Sequence, residues 1–286
     1  PLQLVKALWQ TWRVFRKVKP VMCLGMGGFA SGPGGIVSVL TRTPLVIHEQ
    51  NAFPGMTNKY LSRFARFLLQ VFEGSFSGHK HLHAVGNPVR SSIVNIENPE
   101  LRLGNRSEAL NVLVVGGSLG AVAINDTIIQ LANDAEKNHI SIWHQAGKRN
   151  YDEVKAGYEN AGVKAVKVSA FISDMAEAYA WADVIVCRSG ALTVSEIMAA
   201  GVASILIPYP FAVDDHQTAN GQFLVDAGAA MICPQDSLNK EELLSKLIEL
   251  KNNRNKLLEM SKAARTLAKP DAAKVVANYC IEAIHG

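Results

Sequence analysis

The sequence predicts an α/β protein made of two doubly wound, parallel-sheet lobes, the first of them incomplete. Three observations carry that prediction. Short β-branched apolar runs alternate with helix-length segments along nearly the whole of the 286 residues. Glycine-rich turns follow strands in two places, Gly25 to Gly35 and Gly116 to Ala121, as in βα openings where backbone must come close to a ligand. About six strand–helix repeats follow residue 108, but only about four strands precede residue 90, so half of the first sheet is expected to be absent.

Composition narrows the class. With 48% hydrophobic and 19% charged residues the chain can bury a real core. Cys23, Cys187, Cys233 and Cys280 are scattered without a CxxC pair, which suits buried thiols in a reducing compartment and argues against a zinc site or a disulfide framework. No run of 18 apolar residues is present, so no spanning helix is expected, and no signal peptide is visible. The chain opens at Pro1 without a Met, inside what reads as a basic helix, and an N-terminal segment is expected to be missing. Charge is divided unevenly: residues 1–90 hold eleven Lys and Arg against Glu49 and Glu73, a net +9, and the remainder nets −5. A basic lobe joined to an acidic one points to an anionic surface facing the first.

Residues 2–18 mix Leu4, Leu8, Trp9, Trp12 and Phe15 with Lys6, Arg13, Arg16 and Lys17. As a helix this reads either as an interfacial membrane contact or as a surface helix packed on its own lobe. Val21 to Leu24 reads as a strand. The six glycines between Gly25 and Gly35 are expected to form a loop, since each would cost about 1 kcal/mol relative to Ala inside a helix. The spacing does not match a P-loop. Pro44 to Ile47 is the next strand, and His48-Glu49-Gln50-Asn51 falls at its end, where open α/β sheets bind ligands; His48 and Glu49 read as a proton-transfer pair or as a hydrogen-bonded turn. A helix over 57–67, again aromatic and basic, and strands over 68–72 and 82–85 complete the lobe.

From Gly86 to about Arg106 the composition shifts to Asn, Pro, Glu and Gly without periodicity, marking the boundary. The domains are expected at 1–90, a linker at 91–108, a second lobe at 109–268 and a C-terminal helix at 269–286 that returns to the first lobe. The second lobe opens with the strand 111–115, the turn 116–121 and a helix from Val122. The next strand ends in Gln145 rather than an acid, which counts against a nicotinamide dinucleotide. Val184 to Cys187 is a buried strand delivering Arg188-Ser189-Gly190 into a helix N-terminus, a seat for an anion. Thr193 and Glu196 stand three apart as in a capping box, and Glu196 reads either as a self-capping residue or as an acceptor for ribose hydroxyls. Strand ends in two lobes, with a cleft between them, suit a nucleotide diphosphate and a second substrate. The basic residues travel with aromatics and no reading motif, so nucleic acid is excluded.

The segments GMGGFASGPGG, HEQNAFPGMTNKYL, VGNPVR, VVGGSLGA, WHQAGK and FISDMAEAYAWADVIVCRSGALTVSE closely resemble the UDP-N-acetylglucosamine–N-acetylmuramyl-(pentapeptide) pyrophosphoryl-undecaprenol N-acetylglucosamine transferases, from about Lys19 to the C-terminus. The resemblance implies a GT-B fold of two Rossmann-like domains. It also implies inverting transfer of N-acetylglucosamine from its UDP ester to undecaprenyl-linked lipid I, at the cytoplasmic face of the bacterial inner membrane, with no cofactor or metal. It places the donor at Asn51, Arg90, Ser118, Ile172, Ala191, Leu192, Thr193, Val194, Ser195, Glu196 and Gln217. The acceptor side falls at Gly27, Gly28, Ser31 and Gly32, with His48 and Glu49 as catalytic candidates. Two departures stand out: a first loop GGTGGH with its His has no counterpart after Pro1, and Val21 replaces an Asp. The alternatives left open are a truncated, impaired UDP-sugar-binding fragment, another GT-B glycosyltransferase, or a UDP-sugar epimerase.

Overall fold

A computed structural model describes residues 2–76, 78–104, 106, 109–117, 121–164, 166–211 and 215–285. The first part of the chain runs α1 (Leu2–Val18), β1 (Cys23–Gly25), α2 (Gly28–Leu40), β2 (Leu45–Glu49), α3 (Met56–Leu61), a 3₁₀ turn (Ser62–Phe64), β3 (Phe67–Gln70) and β4 (Leu82–Ala84). It continues through α4 (Ser91–Val94), α5 (Pro99–Gly104), β5 (Leu110–Val115), α6 (Val122–Lys137), β6 (Ile140–Gln145), α7 (Tyr151–Asn160), β7 (Val166–Ser169), α8 (Met175–Trp181), β8 (Val184–Cys187), α9 (Ala191–Ala200) and β9 (Ala203–Leu206). The last elements are α10 (His216–Asp226), β10 (Ala230–Ile232), α11 (Lys240–Asn252), α12 (Arg254–Thr266) and α13 (Ala272–His285). Two compact units result: residues 1–88 with 269–286, and residues 89–268.

The first unit holds a parallel four-stranded sheet in the order β1-β2-β3-β4. Val46, Phe67, Leu69 and Val85 form one core with Val276 and Ala283 of α13, so the last helix of the chain belongs to this unit. The Tyr279 ring stacks on His83 at 4.4 Å and meets Phe67 at 5.1 Å. On the other face Leu45, Ile47 and Leu68 pack against Leu61.

Here the expectation of a loop over residues 25–35 is corrected: α2 begins at Gly28 and runs through Gly32, Pro33, Gly34 and Gly35. Packing explains why. A Cβ on Gly35 would stand 2.3 Å from Leu61 Cδ1, and one on Gly32 would touch Thr57, so α2 lies closer to α3 than any side chain would permit. Close approach of helix to helix offsets the intrinsic cost of glycine there. The turn itself is confined to Gly27 and Gly28, with φ of 79° and 71°, values that favour glycine. The helix expected over 57–67 stops at Leu61, and its last residues turn into β3.

The second unit is a parallel six-stranded sheet in the order β10-β9-β8-β5-β6-β7. Numbered within the unit, that is 3-2-1-4-5-6, the doubly wound dinucleotide-binding order. Residues 91–108, expected as an aperiodic linker, contain α4 and α5. They are held by arginines that cap helix ends. Arg102 donates to the carbonyls of Ala182 and Gly201, each at 2.5 Å, Arg106 donates to Ala180 O, and Arg265 donates to Ala199, Val94 and Ile96. Burial and the neighbouring Arg106 charge lower the Arg102 pKa to about 10, still far above neutrality.

Candidate functional site

In an open parallel sheet, ligands bind beyond the strand C-termini where the winding direction reverses. In the second unit that point lies between β5 and β8, the two neighbours whose onward connections run to opposite edges. Beyond β5 come Gly116, Gly117 and then α6, whose N-cap, Ala121, makes no side-chain capping bond. Beyond β8 come Arg188, Ser189 and Gly190, then α9, also without a side-chain cap. Two helix N-termini thus present free backbone N–H groups and the positive ends of their dipoles at one place. A cavity of about 710 Å³ sits there, lined by Ala121, Val122, Asp126, Arg188, Gln217 and Gln235 among others. Ser118, expected to bind the donor, lies outside the described residues.

Arg188 ties this region together. Its guanidinium donates to the carbonyls of Ile207 and Pro208 at 3.1 and 3.0 Å and to Gln235 Oε1 at 2.5 Å, and lies over the Tyr209 ring at 5.4 Å. Gln217 Oε1 accepts from the Tyr209 backbone N–H at 3.0 Å, and Gln217 O accepts from Ser189 Oγ at 2.7 Å. A half-buried, permanently charged guanidinium beside two helix N-termini gives this end of the sheet a positive potential. Arg188 falls in the segment expected as an anion seat but was not assigned a role of its own, and Gln235 was not expected as a site residue. Arg188 follows directly after a buried strand, which was the one available signal.

The expected run 191–196 divides by helical periodicity. Leu192 is exposed, Thr193 half-buried, and Val194 is in the core, where its side chain touches no ligand. Ser195 Oγ is bonded back to Ala191 O at 2.8 Å. The capping box is corrected: Gly190 is the N-cap, so Glu196 is the sixth helical residue and lies beyond the first turn. Its carboxylate instead accepts from Tyr179 OH at 3.1 Å through Oε2 and from Arg90 at 3.4 Å through Oε1. Glu196 does not line the 710 Å³ cavity; it lies about 7.5 Å along the α9 axis from Ala191, the first residue of that helix. Ile172, buried, precedes α8, the helix that carries Tyr179.

In the first unit, His48 and Glu49 are buried as the last two residues of β2, so they belong to the strand and not to a turn beyond it. They alternate across the strand and bond to different partners. His48 Nε2 donates to Gly86 O at 2.9 Å, which leaves Nδ1 buried with no partner among the described residues, and burial lowers its pKa. Glu49 accepts from Asn51 N, Asn51 Nδ2, Gly55 N and Asn58 Nδ2 at 2.9 to 3.3 Å, so it holds residues 51–58 in place. Asn51 is thereby fixed beside Glu49. Gly27, Gly28, Ser31 and Gly32 form the first turn of α2 and its approach, with Ser31 Oγ donating to Gly27 O at 2.6 Å. Phe29 stands on the same turn, 99% exposed.

One buried network had no expectation attached. Asn125 Nδ2 donates to Ala146 O, which turns its Oδ1 toward His144 Nε2 at 3.0 Å, and His144 Nδ1 accepts from Tyr158 OH at 2.7 Å. The neutral Nε2–H tautomer satisfies all of these bonds. Asn125 Oδ1 would also lie 3.4 Å from a Cβ at Gly116, so the network underlies the glycine turn of the cavity.

Two parallel sheets flanked by helices, the second in the doubly wound order, define Rossmann-type units of the GT-B architecture. Comparison with known proteins gives the family. Residues 111–276 match the glycosyltransferase family 28 C-terminal domain and residues 1–69 match its N-terminal domain. A relative from Marinobacter nauticus is 51% identical over 100% of this chain and 79% of its own length; one from Coxiella burnetii is 47% identical over 98% and 78%. Both are named UDP-N-acetylglucosamine--N-acetylmuramyl-(pentapeptide) pyrophosphoryl-undecaprenol N-acetylglucosamine transferase. The chain belongs to this family of glycosyltransferases. The crystal structure of Acinetobacter baumannii MurG superposes with a TM-score of 0.84 at 37% identity, covering 99% of this chain and 79% of that one. A UDP-GlcNAc 2-epimerase from Neisseria meningitidis, bound to UDP-GlcNAc, shares the fold with a TM-score of 0.71 at 12% identity.

Proposed function

We propose that this chain transfers N-acetylglucosamine from UDP-N-acetylglucosamine to undecaprenyl-pyrophosphoryl-N-acetylmuramyl-pentapeptide, converting lipid I to lipid II with inversion at the anomeric carbon. The observation that carries the reading is the cavity at the β5/β8 switch point, where the N-termini of α6 and α9 meet Arg188. The acceptor hydroxyl attacks the anomeric carbon opposite the leaving diphosphate. Charge develops on the departing UDP, and dipoles fixed beforehand stabilise it without reorganising. Ile172 offers backbone groups to the uracil edge, Glu196 accepts from the ribose, and Gln217 and the 191–193 amides meet the phosphates. Ser118 and Arg90 belong to the same set, Arg90 exchanging Glu196 for a phosphate oxygen. Asn51 is a further donor contact, and His48, Glu49, Gly27, Gly28, Ser31 and Gly32 serve the acceptor side. Glu49 acts by shaping its loop and His48 is the candidate base.

The protein works at the cytoplasmic face of the inner membrane. Among the described residues no helix is long and apolar enough to cross a bilayer. On α1, Trp9 and Trp12 are 55% and 41% exposed, with Arg13 and Arg16 over their rings at 4.8 and 5.1 Å, which supports docking to an anionic surface. The test is transfer of radiolabelled N-acetylglucosamine to lipid I in detergent micelles, alongside calorimetric titration with UDP. Lipid II formation with UDP inhibition is expected. UDP binding without transfer would reduce the protein to a sugar-nucleotide-binding fragment, and absence of both would refute the reading.

A further inference from the structure

Glu196 is a buried carboxylate that the protein leaves under-bonded. An ionised carboxylate offers about four acceptor sites. Among the described residues Glu196 accepts two hydrogen bonds, one on each oxygen. The two donors differ in kind. Arg90 is 60% exposed along its side chain and 3.4 Å away, so water competes for it and it does not hold the carboxylate in one orientation. Tyr179 is fully buried on α8, and Glu196 Oε2 is the acceptor its hydroxyl has, at 3.1 Å. Burial and the nearby Glu196 charge raise the pKa of this phenol well above its ordinary value, so it remains a donor at any physiological pH. A phenylalanine would fill the same space. The hydroxyl is retained at a depth where an unbonded O–H is costly.

We propose that Tyr179 is a positioning residue that locks the Glu196 carboxylate so that its two open acceptor sites meet the 2′- and 3′-hydroxyls of the donor's ribose, giving the site its preference for ribonucleotides over deoxyribonucleotides. The proposal rests on the reading of Glu196 as the ribose acceptor. The coupling is local: Tyr179 sits on α8, Glu196 on α9, and the two helices pack side by side. With Tyr179 replaced, Glu196 keeps its charge but regains side-chain freedom, and a hydrogen bond from ribose must then restore the order as well as form.

The experiment titrates the 286-residue chain with UDP, 2′-deoxy-UDP and CDP by calorimetry, for the parent protein, Tyr179→Phe, Glu196→Gln and the double variant. The parent is expected to bind UDP on the order of tenfold or more tightly than 2′-deoxy-UDP, as for a hydrogen bond to a charged group. Tyr179→Phe is expected to cut that ratio at least threefold while leaving the UDP-to-CDP ratio unchanged. In the Glu196→Gln background the same change should have no further effect on the ribose ratio, because a residue acting through Glu196 has nothing left to position. A Tyr179 of purely structural value would weaken all three nucleotides together or add its full cost to the double variant, and either result overturns the proposal. Equal binding of UDP and 2′-deoxy-UDP by the parent would instead refute the ribose reading of Glu196 itself. Should Tyr179→Phe alone not fold, the double variant measured against Glu196→Gln supplies the comparison. It leaves no buried carboxylate short of a donor, and a ribose ratio that still falls there overturns the proposal.

Discussion

Replacing His144 should change how the second unit responds to acid by an amount the structure fixes. Burial holds the His144 pKa down to about 3, against 6.5 for an unperturbed histidine. In the unfolded chain the ring takes up a proton as pH falls below about 6.5, whereas the folded protein refuses it until about 3. Between those limits the unfolded state binds more protons, so stability rises with pH and is lost on acidification, at about 1.4 kcal/mol per unit. From pH 7 to pH 4.5 this one ring costs about 2.5 kcal/mol, a large share of the usual 5 to 15 kcal/mol. His144→Gln keeps an acceptor for Tyr158 and a donor for Asn125 but does not titrate. Urea unfolding at both pH values, followed by hydrogen exchange at β5 and β6 amides, should show the parent losing about 2.5 kcal/mol more than the variant. His48, also held neutral by burial, contributes equally to both proteins and cancels. Parallel pH curves would refute the assigned tautomer network and its place under the glycine turn.

Gly35→Ala should lower stability although alanine is the better helix former by about 1 kcal/mol. The new Cβ meets Leu61 Cδ1 at 2.3 Å in a closed core, and overpacking of that kind costs about 1–3 kcal/mol; a melting temperature unchanged or raised would contradict the close α2–α3 contact. Trp9→Ser with Trp12→Ser should weaken flotation with phosphatidylglycerol vesicles severalfold and leave UDP affinity intact, whereas undiminished flotation would remove α1 from the membrane contact.

Much of the architecture was legible because parallel sheets write themselves as apolar runs. Val184 to Cys187 and Leu110 to Val115 are buried almost throughout, and the helix expected from Val122 begins there, with Gly116 and Gly117 directly after β5. What failed were inferences from local propensity. The glycines of α2 looked incompatible with a helix because the sequence does not display Leu61 lying against them. Thr193 and Glu196 looked like a capping box because spacing cannot say where a helix begins, and Gly190 begins this one. HEQN reads as a cluster just past the end of its strand because the apolar run stops at Ile47. Its His and Glu are instead the last two residues of β2, with acceptors and donors supplied from Gly86, Gly55 and Asn58, residues six to thirty-eight positions away. Tyr179 and Gln235 carry no signal in the sequence, since their value lies in what they touch.

The two buried carboxylates raise a question that burial alone does not answer, because Glu49 and Glu196 are 2% and 7% exposed. Counting acceptor sites separates them. Glu49 accepts four hydrogen bonds, which saturates it. Glu196 accepts two, so desolvation of the carboxylate is only partly compensated until a ligand supplies the rest. Removing the charge should therefore act in opposite senses. In Glu49→Gln the amide NH₂ must face either the Asn51 pair or the Gly55 and Asn58 donors, and about 2–3 kcal/mol of stability should be lost with UDP affinity unchanged. In Glu196→Gln the amide oxygen still accepts from Tyr179 while the NH₂ turns toward Arg90, which is exposed enough to move away. Stability without ligand should then change by less than about 1 kcal/mol, with UDP affinity down at least tenfold. Thermal melts with and without UDP test both at once. A Glu196→Gln protein that loses stability without losing affinity would mean that its empty acceptor sites are not where the nucleotide binds.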